Sequence, residues 1–308
     1  MISILFTATF AAFALALGPA AFGANIARPG TVNYVEGAAY IDGQPITDRN
    51  VGDANLNPGQ ELATQQGKAE ILLTPGVFLR LDNNSAVRMI SPDLTHTQVE
   101  LVHGRAGVEV DEIYPQNNLE ILDAGVTTQL VKNGYYQFNA DQPAVMVFDG
   151  KAAVQIGDGK YRVVKSHHQL ALAGSNDRAF ASLKPVDFNA NGARDDLYNW
   201  NSLRSQYLAE ANNQIAGAYV GGSGFSPGWY WDPYMWDYTY LGVGPFYSPF
   251  GWGFYPFGWY GYRGFYGYRG FYGYRGGYGY RGGFYGGGGV HGGFAGGGFH
   301  GGGGGGRR

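Results

Sequence analysis

Apolar residues alternate with polar ones, or form short runs, over most of the chain between Val32 and Ala173. Gly, Asn and Asp separate these runs, and β-branched and aromatic residues dominate them, as in VFLRL (77–81) and AVMVF (144–148). An apolar period of two with these residue types is typical of β-strands rather than of helices. The pattern therefore predicts one mainly β domain over residues 25–184.

A short unit repeats inside this β region. VELVHGRAGVEV (99–110) and VMVFDGKAAVQI (145–156) align without gaps, and VNYVEG (32–37) begins the same pattern. Each unit predicts a strand, a tight turn at a glycine with positive φ, and a second strand, with His103 at a hairpin turn. Because so short a unit cannot bury its own apolar face, we expect the strands to stack on neighbouring units.

The order of these steps resembles the FecR domain. That family has a glycine-marked step, then G-x-x-L-R-L-x-x-x-S, then two hydrophobic-G-x-A-x-V steps. The middle step is carried here by Gly76, Leu79, Arg80, Leu81 and Ser85, within TQQGKAEILLTPGVFLRLDNNSAVRM (64–89). The resemblance covers residues 28–175, and it implies an extracytoplasmic fold, a β-solenoid or meander of short stacked strands.

The best-known FecR proteins restrain a sigma factor through a short cytoplasmic part that precedes a membrane segment. In this sequence nothing precedes the N-terminal apolar segment, so regulation of an extracytoplasmic-function sigma pathway is expected only as an alternative. The resemblance thus implies the extracytoplasmic module without the anti-sigma part.

The N-terminal segment predicts export. It is apolar from Ile2 to Leu17 and then rich in small residues, which is typical of a signal peptide cleaved near residue 24. An uncleaved membrane anchor over residues 1–24 is the alternative, and it would be the only expected membrane contact. The absence of cysteine also fits export. We therefore expect a protein of the periplasm or cell envelope of a Gram-negative bacterium.

The apolar period changes to that of a helix within residues 187–217. One stripe comprises Leu197, Trp200, Tyr207, Leu208, Ala211 and Ile215. It predicts an amphipathic helix that ends at Gly217 and packs on the β domain, with a partner-binding or dimerising helix as the alternative. Arg204 falls on the same stripe, so it needs a partner or an exit to solvent.

Two segments follow this helix. Residues 218–260, which we call the collar, are rich in Pro, Trp and Tyr, whereas residues 261–308 form a glycine-rich tail in which Gly-Tyr-Arg repeats. We expect the collar to wrap over the apolar surface of the β domain, or to form an aromatic platform for sugar faces or an envelope interface. We expect the tail to be largely disordered. The candidate interaction residues are Trp229, Trp231, Trp236, Trp252, Trp259, Arg263, Arg269, Arg275 and Arg281.

Little in the sequence indicates catalysis. Cysteine nucleophiles are excluded, and no phosphate-binding G-x-x-x-x-G-K-[ST] loop occurs. DFNANGARDD (187–196) begins like a calcium loop, but Tyr198 stands where an EF-hand needs Glu, so an Asx-rich turn is preferred. No enzyme activity, metal or other cofactor is therefore expected.

The charge distribution bears on the partner. The net charge of the whole chain is −3, whereas residues 218–308 contain six Arg and no Lys. Arginine interleaved with aromatic residues is typical of single-stranded nucleic-acid binders, but this density of positive charge is low and export separates the protein from nucleic acid. We do not expect a nucleic-acid partner.

The sequence predicts a non-enzymatic, exported FecR-like binding module. Its expected partner is an unidentified envelope protein or polysaccharide, with a link to signalling left open. The alternative to this binding module is a structural or adhesive envelope protein that acts through its Gly, aromatic and Arg tail.

Overall fold

The structure, a computed structural model, describes residues 27–155, 160–172, 183–219 and 226–255. The predicted N-terminal signal segment, Trp259, the four candidate arginines and the predicted disordered tail lie outside the described residues, and those predictions stay predictions.

The described part of the chain is mainly β, as the sequence predicts, and most of its strands form one mixed sheet of 15 strands. These strands are β1 (Val32–Ile41), β2 (Gln44–Ile46), β3 (Glu61–Leu72), β4 (Val77–Leu81), β5 (Ala86–Asp93), β6 (His96–His103), β7 (Arg105–Val110), β8 (Asn118–Asp123), β9 (Val126–Leu130), β10 (Gly134–Asn139), β11 (Ala144–Val147), β12 (Lys151–Gln155), β13 (Tyr161–Lys165), β14 (His168–Ala171) and β15 (Val186–Asp187). A short 3-10 helix (Asp48–Asn50) lies between β2 and β3.

The sheet divides into two branches at strand β3, which we call the trunk strand. Its first half pairs with β5 and its second half with β4, while β1 pairs with its other edge. One branch continues β5-β6-β8-β9-β12-β13, with β6 and β8 parallel, and the other continues β4-β7-β10-β11-β14-β15. The two branches share one apolar core, to which Leu79 and Val108 contribute from one branch and Val87 and Ile121 from the other.

The repeated glycines take positive φ as predicted, but the turns are not hairpins. Gly104 has φ 75° and Gly150 has φ 103°. The strands that flank Gly104 pair with different neighbours, β6 with β5 and β8, and β7 with β4 and β10. The hairpin predicted at His103 is therefore wrong, because the glycine is a corner at which the chain passes from one branch of the sheet to the other.

Within the described ranges one long helix, α1 (Asp196–Tyr219), packs on the sheet. Asp195 caps its first turn, since its Oδ1 accepts a hydrogen bond from Tyr198 N at 2.9 Å. The side chains of the predicted stripe are buried, except for that of Tyr207, which is exposed. Arg204, which falls on the same stripe, is also buried. The helix also continues past Gly217, which is not its cap.

The described part of the collar covers the apolar surface around Leu72, Phe78 and Leu208, as expected. It forms two small hairpins, β16 (Gly228–Asp232) with β17 (Asp237–Leu241), and β18 (Phe246–Tyr247) with β19 (Gly253–Phe254). Across the described ranges, no helix combines the length and hydropathy that a membrane crossing requires.

Replacing the corner glycine by alanine tests the branched sheet. A Cβ at residue 104 would lie 2.3 Å from Ser85 Oγ and 2.5 Å from Asn84 O, whereas a Cβ at Gly43, with φ 77°, meets nothing within 4 Å. Gly43→Ala should cost about 1–2 kcal/mol for its left-handed backbone. Gly104→Ala should cost about 1–3 kcal/mol more because of the clash. Urea unfolding followed by circular dichroism measures both, and equal losses would contradict the corner.

Candidate functional site

The sheet, the helix and the collar meet at a buried cluster of charged side chains. Arg80 of β4 donates to Glu70 of β3 at 2.5 Å and also to Glu109 of β7. Arg204 of α1 donates to Glu70 and to Asp237 of β17, at 3.0 Å each. None of the five side chains is more than 5% exposed. We call these five residues the ion network. With so little water to screen them, each charge depends on its partners.

Neutral side chains extend the ion network to the collar. Asn33 of β1 donates to Glu70 Oε1 at 2.8 Å and to Tyr238 O at 2.9 Å, and it accepts from Tyr238 N at 2.6 Å. Asn212 of α1 donates to Tyr240 O at 2.7 Å. The guanidinium of Arg204 lies 4.1 Å from the ring centre of Tyr34. Side chains of β1 and α1 therefore fix the position of hairpin β16–β17.

The pKa values of two acids of the ion network, Glu70 and Asp237, are shifted in opposite directions. Burial acts to raise the pKa of Glu70, but Arg204 and Arg80 together lower it to about 2. Burial also raises the pKa of Asp237, and its single arginine does not reverse this, so that pKa is about 7. The negative charge of Glu70 adds to the increase, and so does that of Asp232, which lies directly across the hairpin.

The anchored hairpin presents an exposed turn, residues 233–236, which we call the aromatic turn. Tyr234 is 83% exposed and Trp236 is 66% exposed. The buried Asp232 fixes the turn, since its Oδ1 accepts from Tyr234 N at 2.8 Å and its carbonyl accepts from Trp236 N at 2.8 Å. Trp236 has φ 55°, which is an outlier for a bulky residue and costs free energy.

Trp231 lies behind the aromatic turn. Its ring meets that of Trp236 edge-on at a centroid distance of 6.1 Å and that of Tyr238 at 5.0 Å. On the other side it fills the space above Gly52, where an added Cβ would lie 2.6 Å from the indole. The exposed ring is thus supported from within. Rings with an apolar body and one polar tip suit stacking on sugars and packing at interfaces.

The other candidate tryptophans occupy packed positions. Trp229 is half-buried and contacts the rings of Phe78 and Tyr240 at 5.0 and 5.7 Å. Trp252 is half-buried as well, and its Nε1 donates to Ser202 O of the helix at 3.0 Å. The structure therefore brings together two candidates, Trp231 and Trp236, and their role in binding stays a prediction.

Sequence reasoning missed Tyr234 and the two aspartates of this hairpin. The stretch WDPYMWDY (231–238) places an aspartate on each side of a proline-initiated turn. Asp followed by Pro is a turn pattern, and it could have indicated the hairpin. The burial of both aspartates could not have been read from it.

The calcium-like loop forms an Asx turn. Asn189 Oδ1 accepts from Asn191 N at 3.1 Å and from Gly192 N at 3.2 Å. Asp187, the first residue of the loop, pairs with His168 at 3.0 Å. Over the ranges that the structure describes, no three His, Asp or Glu side chains are grouped to hold a metal ion.

Comparison with known proteins gives a weak structural similarity. No protein-family model matches the chain, and no curated protein matches its sequence. A crystal structure of a protein from Parabacteroides distasonis ATCC 8503, proposed to be an anti-sigma factor, aligns with a TM-score of 0.35 and 15% identity. The alignment covers 42% of this chain and 61% of that one. Similarity at this level carries no argument about function, so the FecR resemblance stays a prediction.

Removing one arginine tests the ion network. Arg204→Ala leaves Asp237 buried without an arginine and Glu70 with Arg80 alone, and it should lower the free energy of unfolding by about 3–5 kcal/mol. Arg88 is the matched control, since it also pairs with two glutamates, Glu61 and Glu100, but at the half-exposed surface. Arg88→Ala should cost about 0–1 kcal/mol. Chemical denaturation measures both variants, and similar losses would contradict a central role for the ion network.

Stability should also respond to the ionisation of Asp237. Its pKa is about 7 in the folded protein against an ordinary 3.8, so the folded state binds this proton more tightly than the unfolded state does. This contribution is fully present below the unfolded pKa and is lost as pH rises through about 7.

The variant Asp237→Asn, whose amide resembles the protonated carboxyl, isolates that effect. The free energy of unfolding of the original protein, relative to this variant, should fall between about pH 5 and about pH 8. The comparison cancels the contributions of other titrating groups to stability. One of these groups is Asp123, whose pKa is also raised to about 7 by burial. A difference that stays constant with pH would show that Asp237 does not titrate in this range.

Proposed function

We propose that this protein is a non-enzymatic binding module of the bacterial cell envelope, which contacts its partner through the aromatic turn. The observation that carries the proposal is Trp236, a large apolar side chain held in solvent by a backbone conformation that costs free energy. Strain of this kind occurs at functional sites, where the surrounding structure compensates for it. The ion network and Asp232 supply that compensation here.

The rigidity of the aromatic turn supports a role in binding. Ordering a flexible loop on association lowers the affinity, whereas a turn that is already fixed avoids this cost. Trp and Tyr are also the residues that most often dominate the binding energy at interfaces. Tyr234 and Trp236 combine both properties at the tip of one hairpin.

The compartment and the class of partner are part of the same proposal. The N-terminal apolar segment supports export, and the envelope offers both proteins and polysaccharides to which exposed rings can bind. The FecR resemblance adds a link to envelope signalling.

Replacing Trp236 by glycine separates binding from folding. Glycine takes positive φ without strain, which offsets the lost ring contact, so the free energy of unfolding should change by less than about 1 kcal/mol. Co-sedimentation of the purified protein with a Gram-negative envelope fraction should weaken at least about tenfold. Tyr161→Ala, at another exposed aromatic residue on β13, is the control and should leave sedimentation unchanged.

Two further conditions sharpen this assay. Protease or polysaccharide-degrading treatment of the envelope fraction identifies the partner class. Deleting the tail, residues 261–308, should leave most of the binding in place. Unaltered sedimentation of Trp236→Gly, or loss of sedimentation only on deletion of the tail, would overturn the proposal and favour the adhesive tail.

A further inference from the structure

A polar cleft lies on strands β10, β11 and β14, in a part of the fold that the aromatic turn does not use. Its volume is about 400 Å³, within the range of about 300–1,000 Å³ that small-molecule sites occupy. Gln137, Met146 and Gln169 form a row across its floor, because they are direct cross-strand neighbours. Two amides thus flank one apolar side chain on a single face of the sheet.

The loop before helix α1 forms the wall of this cleft. Gly192, Ala193 and Asp195 line it, and the Asx turn of Asn189 holds the loop in shape. Asp195 also pairs with Arg105, which lies at the same end of the cleft and is 3.6 Å from Asp82 as well. Asp195 therefore compensates the guanidinium, and Asp82 is shared between Arg105 and Lys68, so this end of the cleft offers no unmatched positive charge to an anionic ligand.

A smaller cleft of about 220 Å³ lies on the other side of the same loop. Its lining includes Arg194, which belongs to the loop, and the rings of Tyr135, Phe148 and Tyr198. The ring of Tyr198 meets that of Tyr135 edge-on at 5.4 Å, and the guanidinium of Arg194 lies 5.2 Å from the ring centre of Tyr198. The loop thus separates the aromatic lining of this smaller cleft from the amide-lined floor.

We infer that the amide-lined cleft binds a neutral oligosaccharide. Gln169 offers an amide donor and an acceptor, whereas the amide nitrogen of Gln137 already donates to Tyr135 Oη at 3.0 Å and to Asp195 at 3.4 Å, so Gln137 offers its carbonyl oxygen. These groups match the hydroxyl groups of a sugar, and Met146 offers apolar surface to a ring face. An extended peptide would instead pair with free backbone groups at a sheet edge, whereas the polar groups here are side chains on a sheet face. This site is separate from the aromatic turn, and the inference does not depend on the proposed function.

The methionines of the chain allow a direct test. Of its four methionines, Met146 lies in the cleft, Met235 in the aromatic turn and Met89 in the apolar core, while Met1 is N-terminal. The purified protein, labelled at the methionine methyl groups with ¹³C, is titrated separately with cellotetraose and with the tetramer of N-acetylglucosamine, each to about 10 mM, which saturates a site of millimolar Kd. The expected result is a saturable shift of the Met146 resonance by at least one of them, with Met89 unchanged.

Two variants and two further ligands decide the interpretation. Gln169→Ala should weaken the Met146 response at least about tenfold, as expected for a direct polar contact. Gln155→Ala, a matched amide on β12, should leave it unchanged, and an unaltered Met89 resonance shows that each variant is folded. Trigalacturonate and tetraglycine represent acidic saccharides and peptides.

The outcomes separate this inference from the proposed function. No Met146 shift with either neutral saccharide, a shift with trigalacturonate or tetraglycine alone, or a response that survives Gln169→Ala would overturn the saccharide site. A saccharide shift confined to Met235 would also overturn it, while supporting binding at the aromatic turn.

Discussion

A buried guanidinium must be matched by acids that are buried with it, and in this protein that requirement joins three distant parts of the chain. Arg204 lies on the helix, Glu70 on the trunk strand of the sheet and Asp237 on a collar hairpin. Removing any partner would leave a charge in an interior that water does not screen. The hairpin belongs to a separate two-stranded sheet in the described structure, so these side chains and those of Asn33 and Asn212 hold it in place.

The same ion network gives a physical role to one residue of the FecR-like pattern. Arg80, the arginine of the L-R-L step, is fully buried and joins Glu70 to Glu109 across three strands. Ser85, the last residue of that step, accepts from Arg105 N at 2.9 Å beside the Gly104 corner. These motif residues act within the core and at a corner of the sheet. The surfaces suited to partners lie elsewhere, on the aromatic turn and the amide-lined cleft.

The residue pattern of the sequence was sufficient to predict some features of the fold and not others. Alternation shows which face of a strand is buried, and glycine shows where φ can be positive, so the strands and the positive φ of Gly104 were predictable. Alternation does not identify the neighbouring strand, so the branched sheet was not. The partners of Arg204 could not be predicted from the helix stripe, because Glu70 and Asp237 lie 134 and 33 residues away in the sequence. Trp236 gave no indication of a left-handed backbone, since that conformation depends on the buried Asp232.

The central claim is that a turn fixed by the ion network makes the contact with the envelope. Hydrogen exchange of the full chain, with and without envelope fragments, tests it most directly by mass spectrometry. Binding through the aromatic turn predicts added protection in peptides that contain residues 233–236, with the exchange of strands β3 and β7 unchanged. Protection that appears only outside this turn, or none under conditions where the protein sediments with the envelope, would contradict the account.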